Sequence, residues 1–279
     1  MKRVLTPQQL QTLRSMLQAA TIAALMDSRR WEPGDLAFQG GTCLHLAHGS
    51  ARFSEDLDFM VRGGLSLRGL SKEVRNKLHL PADVPADLSV TVTPGKSARN
   101  PHIFHVTLGG PLVLHSVRVR IELWQTQAAA LKSLQINIST IASPAGQAFV
   151  PTLTLAEIFA DKVYALGGRE RIKPRDLFDL WWLCEKQTPH LSANALRTRL
   201  QIYPADSGAL LDTRNAWLAN AARRLQDLKA RGAAKAIAND LKRWLPSAWP
   251  LEDTTAANMV RLAITHLAAG VVLMQGVTG

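Results

Sequence analysis

The chain has 279 residues, 47% of them hydrophobic and only 14 of them proline, which is enough apolar content for a substantial core and enough length for two domains. Its two cysteines, Cys43 and Cys184, lack CxxC spacing, which argues against a disulfide framework or structural zinc and suits a reducing, cytoplasmic compartment. The net charge is +11, spread as +6 over residues 1–150 and +5 over 151–279, and it points to a polyanionic partner, because basic surfaces gain affinity by releasing counterions from phosphates.

The opening "MKRVLTPQQL" turns polar too early to supply the apolar core of a signal peptide, so secretion is not expected. An amphipathic helix is expected over residues 7–27. "LAFQGGTCLHLAHG" then reads as a strand ending at Phe38 or Gln39, the pair Gly40 and Gly41, and a helix begun by Thr42. Two glycines let the backbone approach a ligand closely, and the free N–H groups of a helix start attract phosphate oxygens.

In "RFSEDLDFMV", strand alternation puts Asp56 and Asp58 on one face, with Leu57 and Phe59 on the other and Glu55 pointing away from the pair. Two neighbouring carboxylates repel unless a cation offsets them. Magnesium (or manganese) suits the position, being a hard ion held by one or two carboxylates while substrate phosphates complete its octahedron. Standing alone, a D-x-D pair reads more simply as a solvated strand end. The Gly-Gly ahead of it turns the reading toward a phosphate cradle beside a metal site.

Alternating runs at 88–93, 103–108, 117–123 and 134–140 look like strands of one sheet. In "VRVRIELW", Val117, Val119, Ile121 and Leu123 share one face and Arg118, Arg120 and Glu122 the other. Two readings of Glu122 stand level: a third metal carboxylate if its strand neighbours that of the aspartates, or a partner of Arg118 or Arg120 on an exposed face. "ASPAGQAFVP" (142–151) reads as a turn-rich connector, placing a domain boundary near Pro151 and dividing the chain into 1–150 and a helical 151–279.

The helix in "TLTLAEIFADKVYAL" opens with a capping box, Thr154 and Glu157, and carries Lys162 inside the apolar stripe Leu155, Phe159, Val163 and Leu166. That lysine either snorkels to water or projects into a cleft between domains to hold a triphosphate. In "ERIKPRDLFDLWWLCEK", Leu177, Leu180, Trp181 and Cys184 fit a buried helical face, with Asp176 and Asp179 neighbouring each other beside it. Asp176 serves the helix dipole, or it lines a nucleotide cleft together with Lys173 and Arg175. Further helices are expected at 216–228 and 233–245. "LAITHLAAGVVLM" (262–274) is shorter than the roughly 20 residues a spanning helix needs and reads as a buried helix, so no membrane is expected. His45 and His48 lie three apart without a third metal ligand, Cys43 reads as packing, and Trp181, Trp182, Trp217 and Trp244 read as core residues.

Three stretches together, "FQGGTCLHLAHGSARFSEDLDF" (38–59), "EIFADKVYAL" and "IKPRDLFDLWWL" (172–183), resemble the nucleotidyl transferase AbiEii/AbiGii toxins of the DNA polymerase β-like superfamily, in that family's order. Residues 70–115 and those beyond about 190 carry no matching motif. The resemblance implies an α/β (α+β) nucleotidyltransferase fold with a mixed sheet and flanking helices, followed by a mainly helical domain that completes the nucleotide cleft. It also implies an NTP substrate, a divalent metal and a cognate antitoxin. On that resemblance Gly40 and Gly41 contact the triphosphate, Ser54 lies in the active-site loop, and Asp56 and Asp58 bind metal. Lys162 contacts nucleotide and Asp176 assists catalysis, a role that Asp179 fills equally well.

The leading expectation is therefore transfer of a nucleoside monophosphate from NTP to a hydroxyl on RNA, with tRNA suiting the basic balance. An AMPylator-like modifier of a protein hydroxyl uses the same fold and metal. An inactive fold kept as a binding module is a third reading, ranked last because the polar set of Asp56, Asp58 and Lys162 is intact.

Overall fold

The computed structural model describes residues 2, 4–95, 100–188, 190–203 and 213–276. Its first compact unit comprises Met1–Gly49, Ser54–Gln125 and Ile136–Thr152, and its second comprises Ser50–Phe53, Thr126–Gln135 and Leu153–Gly279. The second unit thus borrows two short segments from within the first unit's span of sequence.

In the first unit, helix α1 (Pro7–Asp27) begins where Thr6 and Gln9 form a reciprocal capping box and Pro7 takes the first helical position. Its second half, from Leu17 to Leu25, is buried. Strands β1 (Leu36–Gln39) and β2 (Asp56–Arg62) flank helix α2 (Gly40–His48). Helix α3 (Leu70–Lys77) follows, in a stretch whose sequence carried no motif. It leads to β3 (Ser89–Pro94), β4 (His102–Gly109) and β5 (Val117–Thr126), three of the four alternating runs. Helix α4 (Ala128–Lys132) belongs to the second unit, after which β6 (Ile136–Ser143) and β7 (Gly146–Leu153) return to the sheet.

The seven strands run in the order β3-β4-β5-β2-β1-β7-β6. β1 pairs antiparallel with β2 and parallel with β7, so the sheet is mixed, as expected. One expectation fails here. The segment 142–151 is not a connector: β6 runs to Ser143 and β7 resumes at Gly146, so only two residues turn between them. The strand was hidden because its alternation is inverted in hydrophobicity, with Ala148 and Val150 buried while the larger Phe149 is 64% exposed. Gly146 and Pro151 added punctuation that normally marks a loop.

In the second unit, α5 (Leu155–Gly168), α6 (Pro174–Lys186), α7 (Ala193–Ile202), α8 (Arg214–Lys229) and α9 (Ala233–Leu241) each contact the last helix, α10 (Asp253–Gln275). The last helix is longer than its apolar core suggested, because the polar run from Asp253 extends it to 23 residues. By length and composition alone it is apolar enough to cross a membrane. It also buries a stripe of Ala256, Met259, Ala263, Leu267, Gly270 and Met274. A single stripe at helical spacing is what a helix packed on one side presents.

A close contact in this bundle lies where α5 meets α8. Trp217 is fully buried, donates its indole N–H to the Tyr164 carbonyl at 2.9 Å, and stacks on the Tyr164 ring. Asn220 donates to the Gly167 carbonyl at 2.6 Å. A Cβ on Gly167 would stand 2.5 Å from two atoms of the Trp217 ring, closer than any carbon pair tolerates. Gly167→Ala should therefore lower stability by about 1–3 kcal/mol through overpacking, despite alanine's better helix propensity, measured as the urea unfolding midpoint.

Candidate active site

Along β2 the side chains alternate as the sequence requires: Leu57 and Phe59 are fully buried, and Asp56 and Asp58 are half-exposed on the opposite face. Phe59 stacks on Phe38 of β1 at 4.8 Å between ring centroids, and register sets Gln39 opposite Asp58. The next residue, Gly40, has φ +78°, and a Cβ there would lie 2.7 Å from Asp58 Oδ2. Glycine is thus required twice, for the left-handed backbone and for room beside the carboxylate. Gly41 is buried in the first turn of α2, a helix that begins at Gly40, two residues earlier than Thr42.

Two polar side chains fix the start of β2. Thr42 donates its hydroxyl to the Asp56 carbonyl, and Gln18 of α1 donates its amide to the carbonyls of Ser54 at 2.9 Å and Glu55 at 3.2 Å. Gln18 is 1% exposed, so both bonds are made away from water. Sequence reasoning missed it, because a glutamine inside a helix carries no signal of a target 36 residues away.

Glu122 stands on β5, the strand that borders β2. Its carboxylate takes Arg120 at 2.9 Å and the Trp124 indole N–H at 3.1 Å. Among the described residues no group of three or more His, Cys, Asp or Glu side chains is placed to hold a metal ion, so Glu122 is not gathered with the two aspartates into one ligand set. Two carboxylates on one strand face, with glycine backbone alongside, still fit a magnesium ion, which commonly takes only one or two protein carboxylates. His105 of β4 sits within the field of Asp56; its pKa is lowered by burial first and by Arg118 and Arg120 next, with Asp56 acting the other way.

The second unit carries a buried ionic cluster. Arg52 grips Asp179 with two bonds, Nε to Oδ1 at 2.7 Å and Nη2 to Oδ2 at 2.8 Å. Lys162 Nζ reaches Asp179 Oδ2 at 2.6 Å and Asp176 Oδ1 at 2.9 Å, and Arg169 pairs with Asp176 Oδ2. Arg52 and Asp179 are 1% and 0% exposed, Asp176 2% and Lys162 8%. Lys162 therefore ends on two aspartates and does not snorkel. Burial alone would raise both carboxyl pKa values, but Arg169 and Lys162 hold Asp176, and Arg52 and Lys162 hold Asp179, below the usual carboxylate range. The apolar environment is wider than the expected stripe, since Ile158 through Gly168 are all buried.

Nearby positions divide between structure and surface. Lys173 is the N-cap of α6, with a pKa lowered by burial and then by Arg169 and Arg175. Arg175 and Arg243 both stack on Trp244, at 5.3 and 5.2 Å. The capping box of α5 is only half formed: Thr154 accepts from the Glu157 N–H, but the Glu157 carboxylate turns instead to the Gln135 N–H and to Arg199. Arg199, fully buried, also holds Asp161, whose own pKa burial still raises. On α6, Trp182 and Leu183 are buried, whereas Trp181 and Cys184 are only partly so. His45 and His48 are half-buried at the end of α2, and Cys43 is buried with its thiol pKa pushed up by desolvation.

Two tests follow from the ionic cluster. Arg52→Ala should cost about 3–5 kcal/mol, because it leaves Asp179 buried without its bidentate partner, and chemical denaturation reads this directly. Because Asp179 titrates lower in the folded than in the unfolded chain, its contribution is complete above the ordinary carboxylate pKa of about 3.9 and is lost as pH falls below it. Unfolding free energies taken from about pH 5 down to 3 should decline less steeply in Asp179→Asn than in the wild type.

The fold is shared with solved proteins. Superposition gives a TM-score of 0.56 with a nucleotidyltransferase described as putative from Helicobacter pylori, at 19% identity over 95% of this chain and 98% of that one. JHP933 from the same organism gives 0.55 at 17% identity, covering 95% of both chains. MenT4, a nucleotidyltransferase toxin of Mycobacterium tuberculosis H37Rv, gives 0.55 at 17% identity over 95% and 86%. No curated protein sequence matches. The family described as nucleotidyl transferase AbiEii toxin, Type IV TA system, matches residues 24–256, a span that includes the Gly-Gly turn, both strand aspartates and the buried ionic cluster. The chain is therefore a member of the AbiEii nucleotidyl transferase toxin family of type IV toxin–antitoxin systems.

Proposed function

We propose that this toxin transfers a nucleoside monophosphate from an NTP to a hydroxyl on RNA, with tRNA as the acceptor. The observation that carries the reading is the placement of Asp56 and Asp58 together on the half-exposed face of a strand whose start is fixed by Gln18 and Thr42 and whose neighbour is Gly40. In the reaction the acceptor oxygen forms a bond to the α-phosphorus, the bond from that phosphorus to pyrophosphate breaks, and the hydroxyl proton passes to water. Asp56 and Asp58 would hold a divalent ion, magnesium or manganese, which neutralises the triphosphate and the departing pyrophosphate.

The chain's own residues bind and orient. Gly40 and Gly41 stand at the start of α2, where backbone N–H groups donate to phosphate oxygens. Ser54, whose carbonyl is held by Gln18, belongs to the loop that delivers the aspartates. Lys173 and Arg175 are proposed as contacts for substrate phosphate. Lys162 and Asp176 act from inside their ion-pair cluster, keeping it rigid. A type IV toxin is encoded with an antitoxin, and the cytoplasm, where NTP and tRNA are found, is the proposed site of action.

Incubation with each labelled NTP, followed by separate recovery of tRNA and total protein, tests the acceptor: label should appear in tRNA, and label confined to protein would overturn the RNA reading. Asp56→Asn and Asp58→Asn should each abolish transfer while leaving thermal stability unchanged or higher, because each relieves like-charge repulsion within the pair. Retained activity with a large loss of stability would show the aspartates to be structural.

A further inference from the structure

Strands β3, β4 and β5 bury one face and leave the other open. Phe104, Val106, Val119 and Ile121 point inward and are fully buried. On the opposite face, pairing sets Thr91 beside Thr107 and Thr107 beside Arg118 in one row, and Thr93 beside His105 and His105 beside Arg120 in the next. Both arginines are exposed. They lie two residues apart on one strand, about 7 Å, a spacing that lets each meet a separate phosphate.

These rows lead toward the aspartates. β5 borders β2 in the sheet, and both strands bury their odd-numbered residues, Val119 and Ile121 on one and Leu57 and Phe59 on the other, so Arg118 and Arg120 share the opposite face with the carboxylate pair. Threonines alone would make this an ordinary solvated strand face. Two arginines in register with them give it positive charge on the strand next to β2, with Glu122 engaged by Arg120.

We propose that this face is the track along which the RNA acceptor reaches Asp56 and Asp58, with Arg118 and Arg120 each neutralising one phosphate and the threonine hydroxyls donating to sugar–phosphate oxygens. Contacts of this type position a strand without reading its sequence, which suits a surface offering charge and hydroxyls, with Trp124 on the same face of β5 held by its indole N–H to Glu122. The inference rests on the RNA reading above and adds the route.

The test compares wild type with Arg118→Ala/Arg120→Ala for binding of deacylated bulk tRNA across a salt series, alongside NTP binding by calorimetry. The double variant should bind tRNA roughly tenfold or more weakly, with the slope of log affinity against log salt shallower by about 1.5, as expected for two lost phosphate contacts, while NTP affinity is unchanged. Arg118→Lys/Arg120→Lys should keep the wild-type slope. If the double alanine variant fails to fold, Arg118→Ala alone should give about half the change in slope. An unchanged tRNA affinity and slope in a folded variant would overturn the track while leaving the RNA reading standing. A wild type that binds no tRNA but still binds NTP would overturn both.

Discussion

Five charged side chains, Arg52, Lys162, Arg169, Asp176 and Asp179, share one cluster in the second unit, buried except for the partly exposed Arg169, and ion pairs hold them together. Removing charges from water is expensive, and the cost is offset only when each charge meets a well-placed opposite. Here three cations meet two carboxylates through a bidentate Arg52–Asp179 pair and a lysine shared between both aspartates. The geometry demands that α5 and α6 hold a fixed register, because Lys162 comes from the first and both aspartates from the second. It also explains why the short segment Ser50–Phe53 belongs to this unit: Arg52 is pinned there, and the Phe53 N–H bonds to the Trp244 carbonyl at 2.8 Å.

A different constraint governs the first unit. The half-exposed carboxylates depend on backbone placement, and backbone placement depends on polar side chains buried behind the strand. Gln18 uses the only polar group of its side chain able to donate, binding two successive carbonyls just before Asp56. Thr42 does the same for the Asp56 carbonyl from the opposite element. These bonds would cost stability if unmade in an apolar setting, so the loop entering β2 has little freedom.

The sheet shows how one face can be apolar and the other charged. Phe38, Phe59, Val106 and Ile121 fill the buried side without charge, and the opposite side collects Asp56, Asp58, His105, Arg118, Arg120 and Glu122. A sheet of alternating residues can do this because consecutive side chains never share a face. Family membership fits such an arrangement, in which nucleotide transfer calls for fixed charge on one surface and a rigid apolar layer beneath it.

Much of this was legible in the residues themselves. The Gly-Gly turn, the D-x-D alternation, the four alternating runs and the capped opening helix are local patterns, set by backbone sterics and by periods of 2 and 3.6 that any reader of the chain can count. Those patterns determined the mixed α/β character and singled out Asp56, Asp58 and Gly40. Tertiary structure alone decided the rest. β7 was concealed because packing buried its small alanine and exposed its phenylalanine, reversing the usual signal. Whether Lys162 snorkelled or was held could not be read from its helix, since its partners lie on another helix 14 and 17 residues onward. Arg52 looked like one basic residue among many, because its partner is 127 residues away and only folding makes the pair. Local sequence fixes which way a side chain faces along its own element, but which charge it meets depends on chain closure over long distances, and no short pattern encodes that.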